Sequence, residues 1–354
     1  MRDHMFLEMT ETPAVVGKLL GNRANLSRGV DLFLDSLNNK DILFTGCGSS
    51  YFAGISGAYI CSKLLKRAST PISAFDYSHY RFAGTGKDTV LFSFSQSGET
   101  SETIEATKKA KEKQAMVFAI TNNSSSRLAS LCDWAIEILA GTEKGPGTKT
   151  VVAQLLAIYL FFLDAAKRHK GSVVESLYAG NEELKQAEYL SSQVIEIGRR
   201  KDDIAELLYG KDSVFIVGTG PYSATAFQAA NVLKEAAKIH AEGFETAEFR
   251  HGPLELVSDR SAIILLNHYE TNGVKLFSGK EISKQTGCTV IDVVMAEHLL
   301  KSKGSCCYVV LPEMSEVLGS ILSISLFHEW SYKLAKRKGL NPNEFRNIVK
   351  TWTH

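Results

Sequence analysis

The chain has 354 residues, 44% hydrophobic and 22% charged, the profile of a globular protein long enough for two domains with separate cores. Forty basic and 39 acidic residues leave a net charge of +1, which excludes a bulk electrostatic footprint for nucleic acid. No apolar run reaches the roughly 20 residues that span a bilayer; the longest, Val151 to Ala165, reads as part of an amphipathic helix.

The opening Met1-Arg2-Asp3-His4 lacks the apolar stretch of a signal peptide, so the cytoplasm is expected, with no membrane partner. Ile42-Leu43-Phe44-Thr45 is a short apolar strand, followed by the turn Gly46-Cys47-Gly48-Ser49-Ser50 and a helix to about Lys66. Pro71 to Tyr77 reads as a second strand, Thr89 to Ser95 as a third, Met116 to Thr121 as a fourth and Trp134 to Leu139 as a fifth. Apolar strands separated by helical stretches imply a parallel sheet covered on both faces.

The third strand ends in the most informative segment, Ser95-Gln96-Ser97-Gly98-Glu99-Thr100, with a helix-compatible stretch from Glu102. Small hydroxyl and amide side chains at a strand-to-helix junction, where backbone N–H groups lack partners, suit an anion. With no Lys or Arg close by in sequence, capture by hydrogen bonds fits a sugar phosphate better than a long polyanion. The plainer reading is a helix start capped by Thr100.

A loop from Ala140 to Thr148 leads into a helix to about Lys170, and a charged helical region from Val173 to Tyr209 bridges to a second cycle. There Ser213 to Val217 is a strand, Gly218-Thr219-Gly220-Pro221-Tyr222-Ser223 its turn, and Ala224 to His240 a helix. Strands follow at Ala262 to Leu266, Val290 to Val294 and Cys307 to Leu311, then a helix from Ser315 to Lys338. The halves repeat strand, Gly-x-Gly turn and helix, a domain duplication rather than a solenoid. It has decayed unevenly, because Leu266-Asn267-His268 stands where the first half has Ser95-Gln96-Ser97.

Gly-x-Gly after a strand invites a nucleotide reading, but the dinucleotide fingerprint needs a third glycine where Tyr51 stands, and the Gly-Lys-Ser/Thr ending of an ATP loop is absent. No cofactor is expected. The six cysteines form neither a CxxC pair nor a zinc quartet, and only Cys306 and Cys307 are adjacent. They read as reduced core thiols, with Cys47 a small packing residue in its Gly-rich turn.

Taken together, these segments resemble the sugar isomerase (SIS) family, in particular the isomerase half of glutamine–fructose-6-phosphate amidotransferase and SIS-type glucosamine-6-phosphate deaminases. The resemblance rests on Gly46-Cys47-Gly48-Ser49-Ser50, Ser95 to Thr100, Ala140-Gly141-Thr142-Glu143, Leu233-Lys234-Glu235, Ile239-His240-Ala241-Glu242, Glu248-Phe249-Arg250-His251-Gly252-Pro253 and Arg346-Asn347-Ile348-Val349-Lys350. It implies an α/β fold of two SIS domains, each a five-stranded, mostly parallel, doubly wound sheet of flavodoxin-like type. The first covers 1–170 with an N-terminal helix and the phosphate site. The second covers 171–338 with a linking helix and the catalytic Glu and His, and a tail, 339–354, carries the Lys.

The resemblance also implies that Ser50, Ser95, Gln96, Ser97 and Thr100 hold a substrate phosphate, and that Cys47, Gly48, Ser49, Pro146, Gly147 and Val349 contact the sugar. It makes Glu235 the residue that moves a proton between C1 and C2, and His251 the ring-opening acid/base supplied from the neighbouring subunit. Lys350 becomes the Schiff-base lysine, and a homodimer with a shared active site follows. Two departures stand out. Residue 2 is Arg and the first strand begins early, so no glutaminase domain and no glutamine hydrolysis are expected from this chain. Lys144-Gly145-Pro146-Gly147-Thr148 is one residue shorter than the family's substrate loop.

The residues suit this chemistry. A single carboxylate beside a buried stripe can move a proton between adjacent carbons; Glu235 follows Phe227, Val232 and Leu233, although an ion pair with Lys238 is the bland alternative. Imidazole as a side-chain type can both give and take a proton, which suits the His251 turn to ring opening, and His240 reads as structural. Lys350 lies near the terminus, where disorder is the default, but Phe345, Ile348, Val349 and Trp352 offer apolar surface for docking. An amine partly withdrawn from water becomes nucleophilic. Arg346 could pair with a carboxylate, and Glu143 could orient sugar hydroxyls or brace the anion loop.

The expected reaction is conversion of glucosamine-6-phosphate to fructose-6-phosphate and ammonia. Alternatives are a fructosamine-6-phosphate deglycase, with the short loop making room for a substituent, and the reverse amination. In another class stands a non-catalytic sugar-phosphate sensor, although no helix-turn-helix segment or basic arm accompanies the motifs.

Overall fold

The computed structural model describes residues 3–37, 40–170, 175–266, 279–296 and 307–351. The chain begins with helices α1 (His4–Thr10), α2 (Thr12–Gly21) and α3 (Ala24–Ser36). Strand β1 (Asp41–Gly46), helix α4 (Ser49–Leu65), strand β2 (Ser69–Ser73) and the short helix α5 (Ala74–Asp76) follow. Next come β3 (Thr89–Phe94), α6 (Ser101–Glu112), β4 (Met116–Thr121), α7 (Arg127–Leu131), β5 (Trp134–Glu137) and α8 (Lys149–Lys170). Helices α9 (Glu175–Arg200) and α10 (Asp202–Leu208) precede β6 (Ser213–Gly218), α11 (Pro221–Val232), β7 (His240–Glu245) and α12 (Thr246–Phe249). The described chain closes with β8 (Ser261–Leu266), α13 (Gly279–Thr286), β9 (Thr289–Met295), β10 (Cys307–Leu311), α14 (Glu316–Leu322) and α15 (Ile324–Arg337).

These elements form two α/β units that interleave along the chain. One comprises Glu11–Glu143, Lys149–Glu188 and Asn347–His354; the other comprises Met1–Thr10, Lys144–Thr148 and Tyr189–Arg346. Each holds one five-stranded sheet, ordered β2-β1-β3-β4-β5 and β10-β9-β8-β6-β7, and every described strand pair is parallel. Counted from the first strand of each unit, both follow the doubly wound order 2-1-3-4-5.

The first sheet is held by a ladder of phenylalanines. The parallel register sets Phe44 opposite Phe92 and Phe92 opposite Phe118, and the rings stack at centroid distances of 5.2 and 5.1 Å. Phe33 of α3 and Phe161 and Phe162 of α8 close on this ladder, with Phe33 and Phe161 edge to face at 5.4 Å. All six side chains are fully buried. In the other unit Phe215, Val217, Phe249, Ile263 and Leu265 form the corresponding core.

Helix α8 is long and apolar enough, by length and composition, to cross a membrane, yet 94% of its most apolar stretch is buried inside the protein. It is not amphipathic as the sequence suggested. Residues 149–163 are buried on every side, because α2, α3 and α4 pack around it.

Other differences have local causes. The second strand stops at Ser73, whose hydroxyl accepts the Asp76 N–H and starts α5. The helix expected to run to His240 ends at Val232, continues as one π-helical turn, Leu233–Ala237, and stops at Lys238 with φ +52°. The unpredicted strand β7 then begins. Lys201 breaks the long bridging helix, and Ser323 divides the last one. Val173, where that bridge was expected to begin, and Asn267-His268 lie outside the described residues.

Phe92→Ala is expected to destabilise the protein by about 3–5 kcal/mol, because it removes the central ring of the ladder. Urea unfolding followed by fluorescence measures this, and a loss below about 1 kcal/mol would contradict a central place for the ladder.

Candidate active site

In a doubly wound sheet, ligands bind beyond the carboxyl ends of the strands where the strand order reverses. In the first sheet that point lies between β1 and β3, with Gly46 and Phe94 in register. The two segments leaving it are the Gly46–Ser50 turn and the Ser95–Thr100 loop. Gly48 has φ +52° and ψ −127°, a conformation only glycine adopts readily. Gly220, between β6 and α11, has nearly the same geometry, φ +57° and ψ −128°, so the duplication is legible in the backbone itself.

Ser95 is buried. Its N–H still bonds Ile120 of β4, while its hydroxyl accepts the Gly98 N–H at 3.1 Å and lies 3.0 Å from the Thr100 hydroxyl. Thr100 is the N-cap of α6, but its side chain does not cap the helix. Ser97 accepts the Glu99 N–H at 3.1 Å, and Gln96 and Ser97 are half-buried. Gly98 turns with φ +70°, and a Cβ there would sit 2.0 Å from Ser126 Oγ.

A cation does reach this loop. Arg127 donates to the Glu99 carboxylate through its backbone N–H at 2.9 Å and its Nε at 2.5 Å, and to the Glu99 carbonyl at 3.3 Å. The Arg127 N–H and guanidinium hold the Glu99 carboxyl below the usual carboxylate range, against a lesser upward push from burial. Arg127 therefore fastens the loop through Glu99.

Ser50, in the first turn of α4, accepts a hydrogen bond from Gln154 of α8 at 3.2 Å. Ser49 is half-buried and Gly48 exposed. Cys47 lies 3.8 Å from the Thr103 hydroxyl, and burial pushes its thiol up to about 11, which leaves little thiolate at neutral pH. Among the described residues Cys47, Cys61, Cys132, Cys288 and Cys307 are free thiols; Cys306 lies outside them.

Lys350 belongs to this same unit. Its Nζ meets Glu143 Oε2 at 3.1 Å, and Glu143 also accepts the Thr150 hydroxyl at 2.6 Å and the Thr150 N–H at 3.2 Å. The Glu143 side chain is fully buried. The tail is not docked through Ile348 and Val349, which are 45% and 55% exposed. A charge pair holds Lys350 instead, and Trp352 lies outside the described residues. Lys149, at the start of α8, is nearly buried and pairs with Glu11 at 2.5 Å.

In the unit of the second sheet, Glu235 occupies the π turn and is half-buried. Its Oε1 accepts the Asn231 amide at 2.9 Å. The Lys238 amine bonds the Glu235 carbonyl rather than its carboxylate, and also the Glu344 carbonyl at 2.7 Å. Burial, then the nearby Arg346 guanidinium, lower the Lys238 amine from its ordinary value. Arg346 itself makes no ion pair among the described residues. His251 is exposed in a turn, its N–H bonded to the Glu248 carbonyl at 3.0 Å. Among the described residues no hydrogen bond joins His251 to Glu235. His240, expected to be structural, is an exposed strand start 3.3 Å from Glu242.

The Lys144–Thr148 loop is gripped from α1, where the buried Glu8 accepts the Lys144 N–H at 2.5 Å and the Gly145 N–H at 3.0 Å. Pro146 is buried and Gly147 half-buried. Glu8, Arg127, Gln154 and Asn231 were not singled out from sequence. Only Asn231 carried a signal, an amide four residues before a candidate base.

Gly98→Ala is expected to lower stability by more than the ~1 kcal/mol of a left-handed backbone alone, because Ser126 must move; an unchanged urea midpoint would contradict this. The Glu99–Arg127 pair makes a pH prediction. A carboxyl held low in the folded protein adds stability above its unfolded value and loses it as pH falls through the folded one. Both side chains keep solvent contact, so the contribution is about 1 kcal/mol or less. The melting temperature of Glu99→Gln should lie below that of the parent at pH 7, and the gap should close between about pH 5 and pH 3. A gap independent of pH would refute the pairing.

Residues 37–164 and 207–275, more than half of the chain, match the SIS domain family. Over 99% of its length the chain is 30% identical to a glutamine–fructose-6-phosphate aminotransferase (isomerizing) of Thermococcus kodakarensis, of which it spans 58%. The C-terminal domain of glucosamine-fructose-6-phosphate aminotransferase from Francisella tularensis superposes with TM-score 0.86 at 26% identity, covering 96% of this chain and 97% of that one. Glucosamine-6-phosphate deaminase from Thermotoga maritima shares the fold, with TM-score 0.74 and 21% identity over 98% of this chain and 99% of that one. This chain belongs to the SIS domain family.

Proposed function

We propose that the protein is a phosphosugar isomerase-type enzyme that converts glucosamine-6-phosphate to fructose-6-phosphate and ammonia. The observation that carries this reading is the Ser95–Thr100 loop, a hydroxyl-lined reversal at the switch point of a doubly wound sheet whose nearby arginine is occupied by Glu99. Ser50, Ser95, Gln96, Ser97 and Thr100 would hold the phosphate, with Cys47, Gly48, Ser49, Pro146, Gly147 and Val349 along the sugar.

In this reading His251 opens the ring by protonating its oxygen and accepting the anomeric proton. The Glu235 carboxylate removes the C2 proton while the C1 carbonyl oxygen is protonated, then returns the proton to C1. The product is a ketimine at C2. Water adds there and ammonia leaves, which gives the ketose. Lys350 could also form an imine at C2, expelling ammonia before water frees the sugar. An ammonium is no nucleophile, so Lys350 must first give its proton away and leave Glu143.

A second reading, the aminating direction from fructose-6-phosphate and ammonia, is favoured by the 30% identity to a relative named as an aminotransferase. Initial rates measured in both directions separate the two. Ammonia release from glucosamine-6-phosphate is expected, with a loss of roughly 10²–10⁴-fold in Glu235→Gln. Equal release by that variant would overturn the reading. Binding of fructose-6-phosphate without solvent exchange at C1 or C2 would point instead to a sensor.

A further inference from the structure

We propose that Asn231 is a positioning residue for Glu235: its amide holds one oxygen of the carboxylate that transfers the proton. The inference rests on the reading of Glu235 as the proton-transfer group. Asn231 lies in the last turn of α11, and Glu235 in the π turn that follows. The Asn231 Nδ2 donates to Glu235 Oε1 at 2.9 Å, and both side chains are half-buried. A π turn widens the helix and redirects the side chains it carries, a device common at functional sites.

The backbone beneath Glu235 is fixed without help from Asn231. Leu233, Ala236 and Ala237 are fully buried. The turn's outgoing carbonyls are capped by amines, with Lys238 on Glu235, and Lys338 on Ala237 at 2.8 Å and Lys238 at 3.2 Å. The long glutamate side chain has three rotatable bonds above this pinned backbone. A neutral amide donor on one oxygen narrows that freedom without neutralising the charge.

The residue type supports the assignment. Asparagine is a weak helix former inside a helix, and its neighbours Ala229, Ala230 and Val232 are buried apolar residues. The amide thus sits at a position of weak helix propensity, where it meets the carboxylate.

The test compares the whole chain with Asn231→Leu, Asn231→Asp and Glu235→Gln, following ammonia release from glucosamine-6-phosphate and solvent exchange at C1 and C2. Asn231→Leu is expected to lower kcat about ten-fold, as for one lost hydrogen bond to a charged group, with KM within about two-fold. Asn231→Asp, closer in shape, should be slower than Asn231→Leu, because two adjacent carboxyls compete for one proton. A packing role would rank these variants the other way. Thermal melts identify any variant that fails to fold, and Asn231→Asp and Asn231→Leu serve as checks on one another. If Glu235→Gln is inactive while Asn231→Leu keeps kcat within two-fold of the parent, the positioning role is refuted and the function stands. If Glu235→Gln is fully active, both fall.

Discussion

The reversal after β3 depends on Ser95. This one residue ends the sheet and begins the loop, since its N–H still reaches Ile120 while its hydroxyl takes the Gly98 N–H. The carbonyls that follow turn to the neighbouring segment. That of Gln96 accepts the Asn122 N–H, that of Gly98 the Leu128 N–H, and that of Glu99 the Arg127 side chain. These carbonyl oxygens of the loop are thereby bonded to the neighbouring segment. Gly98 makes the geometry possible, and Ser126, packed against it, makes it rigid.

Rigid support for such a loop comes from the sheet beneath. Phe44, Phe92 and Phe118 share one register across β1, β3 and β4. Rotating the central strand β3 would break two stacks at once, so the ends of β1 and β3 are fixed relative to each other. Offset and tilted aromatic pairs contribute about 0.5–1.5 kcal/mol each beyond their buried area. The helix α8 that backs this ladder also supplies Gln154 to Ser50. Core and candidate site thus share one element, and its unusual apolarity follows from being surrounded.

How much of this could be read from sequence depended on whether the cause was local. The Gly-x-Gly turns at Gly46 and Gly218 and the Ser95–Thr100 segment were legible because their residue types dictate backbone geometry. The apolar strands were legible for the same reason. The π turn at Leu233–Ala237 was not, since its sequence differs little from that of an ordinary helix end, and β7 was lost with it. Long-range pairs were equally hidden. Nothing local in Glu8 announces the N–H groups of Lys144 and Gly145, and nothing in Ile348 or Val349 announces that Lys350 is held by charge. The expected amphipathic face of α8 failed because periodicity cannot report how many neighbours a helix has.

The N-terminal helix α1 explains how the short Lys144–Thr148 loop keeps its shape. Lys144 and Gly145 present two successive N–H groups, and the buried Glu8 takes both. A buried carboxylate is tolerated only when well bonded, so α1 must itself be held firmly. It is. The Met5 N–H bonds Asn343 at 2.7 Å, and Asp3 takes hydrogen bonds from Tyr332 at 2.7 Å and Asn343 at 3.2 Å beside the Lys336 amine at 2.9 Å. Burial alone would raise the Asp3 carboxyl, but these bonds outweigh it and hold it below the usual range. Within one unit, then, a single turn-and-a-half of helix joins the segment around Asn343 to the loop at Lys144–Thr148. Any force that moves one is felt by the other through Glu8, because releasing either N–H would leave a buried carboxylate oxygen short of a donor.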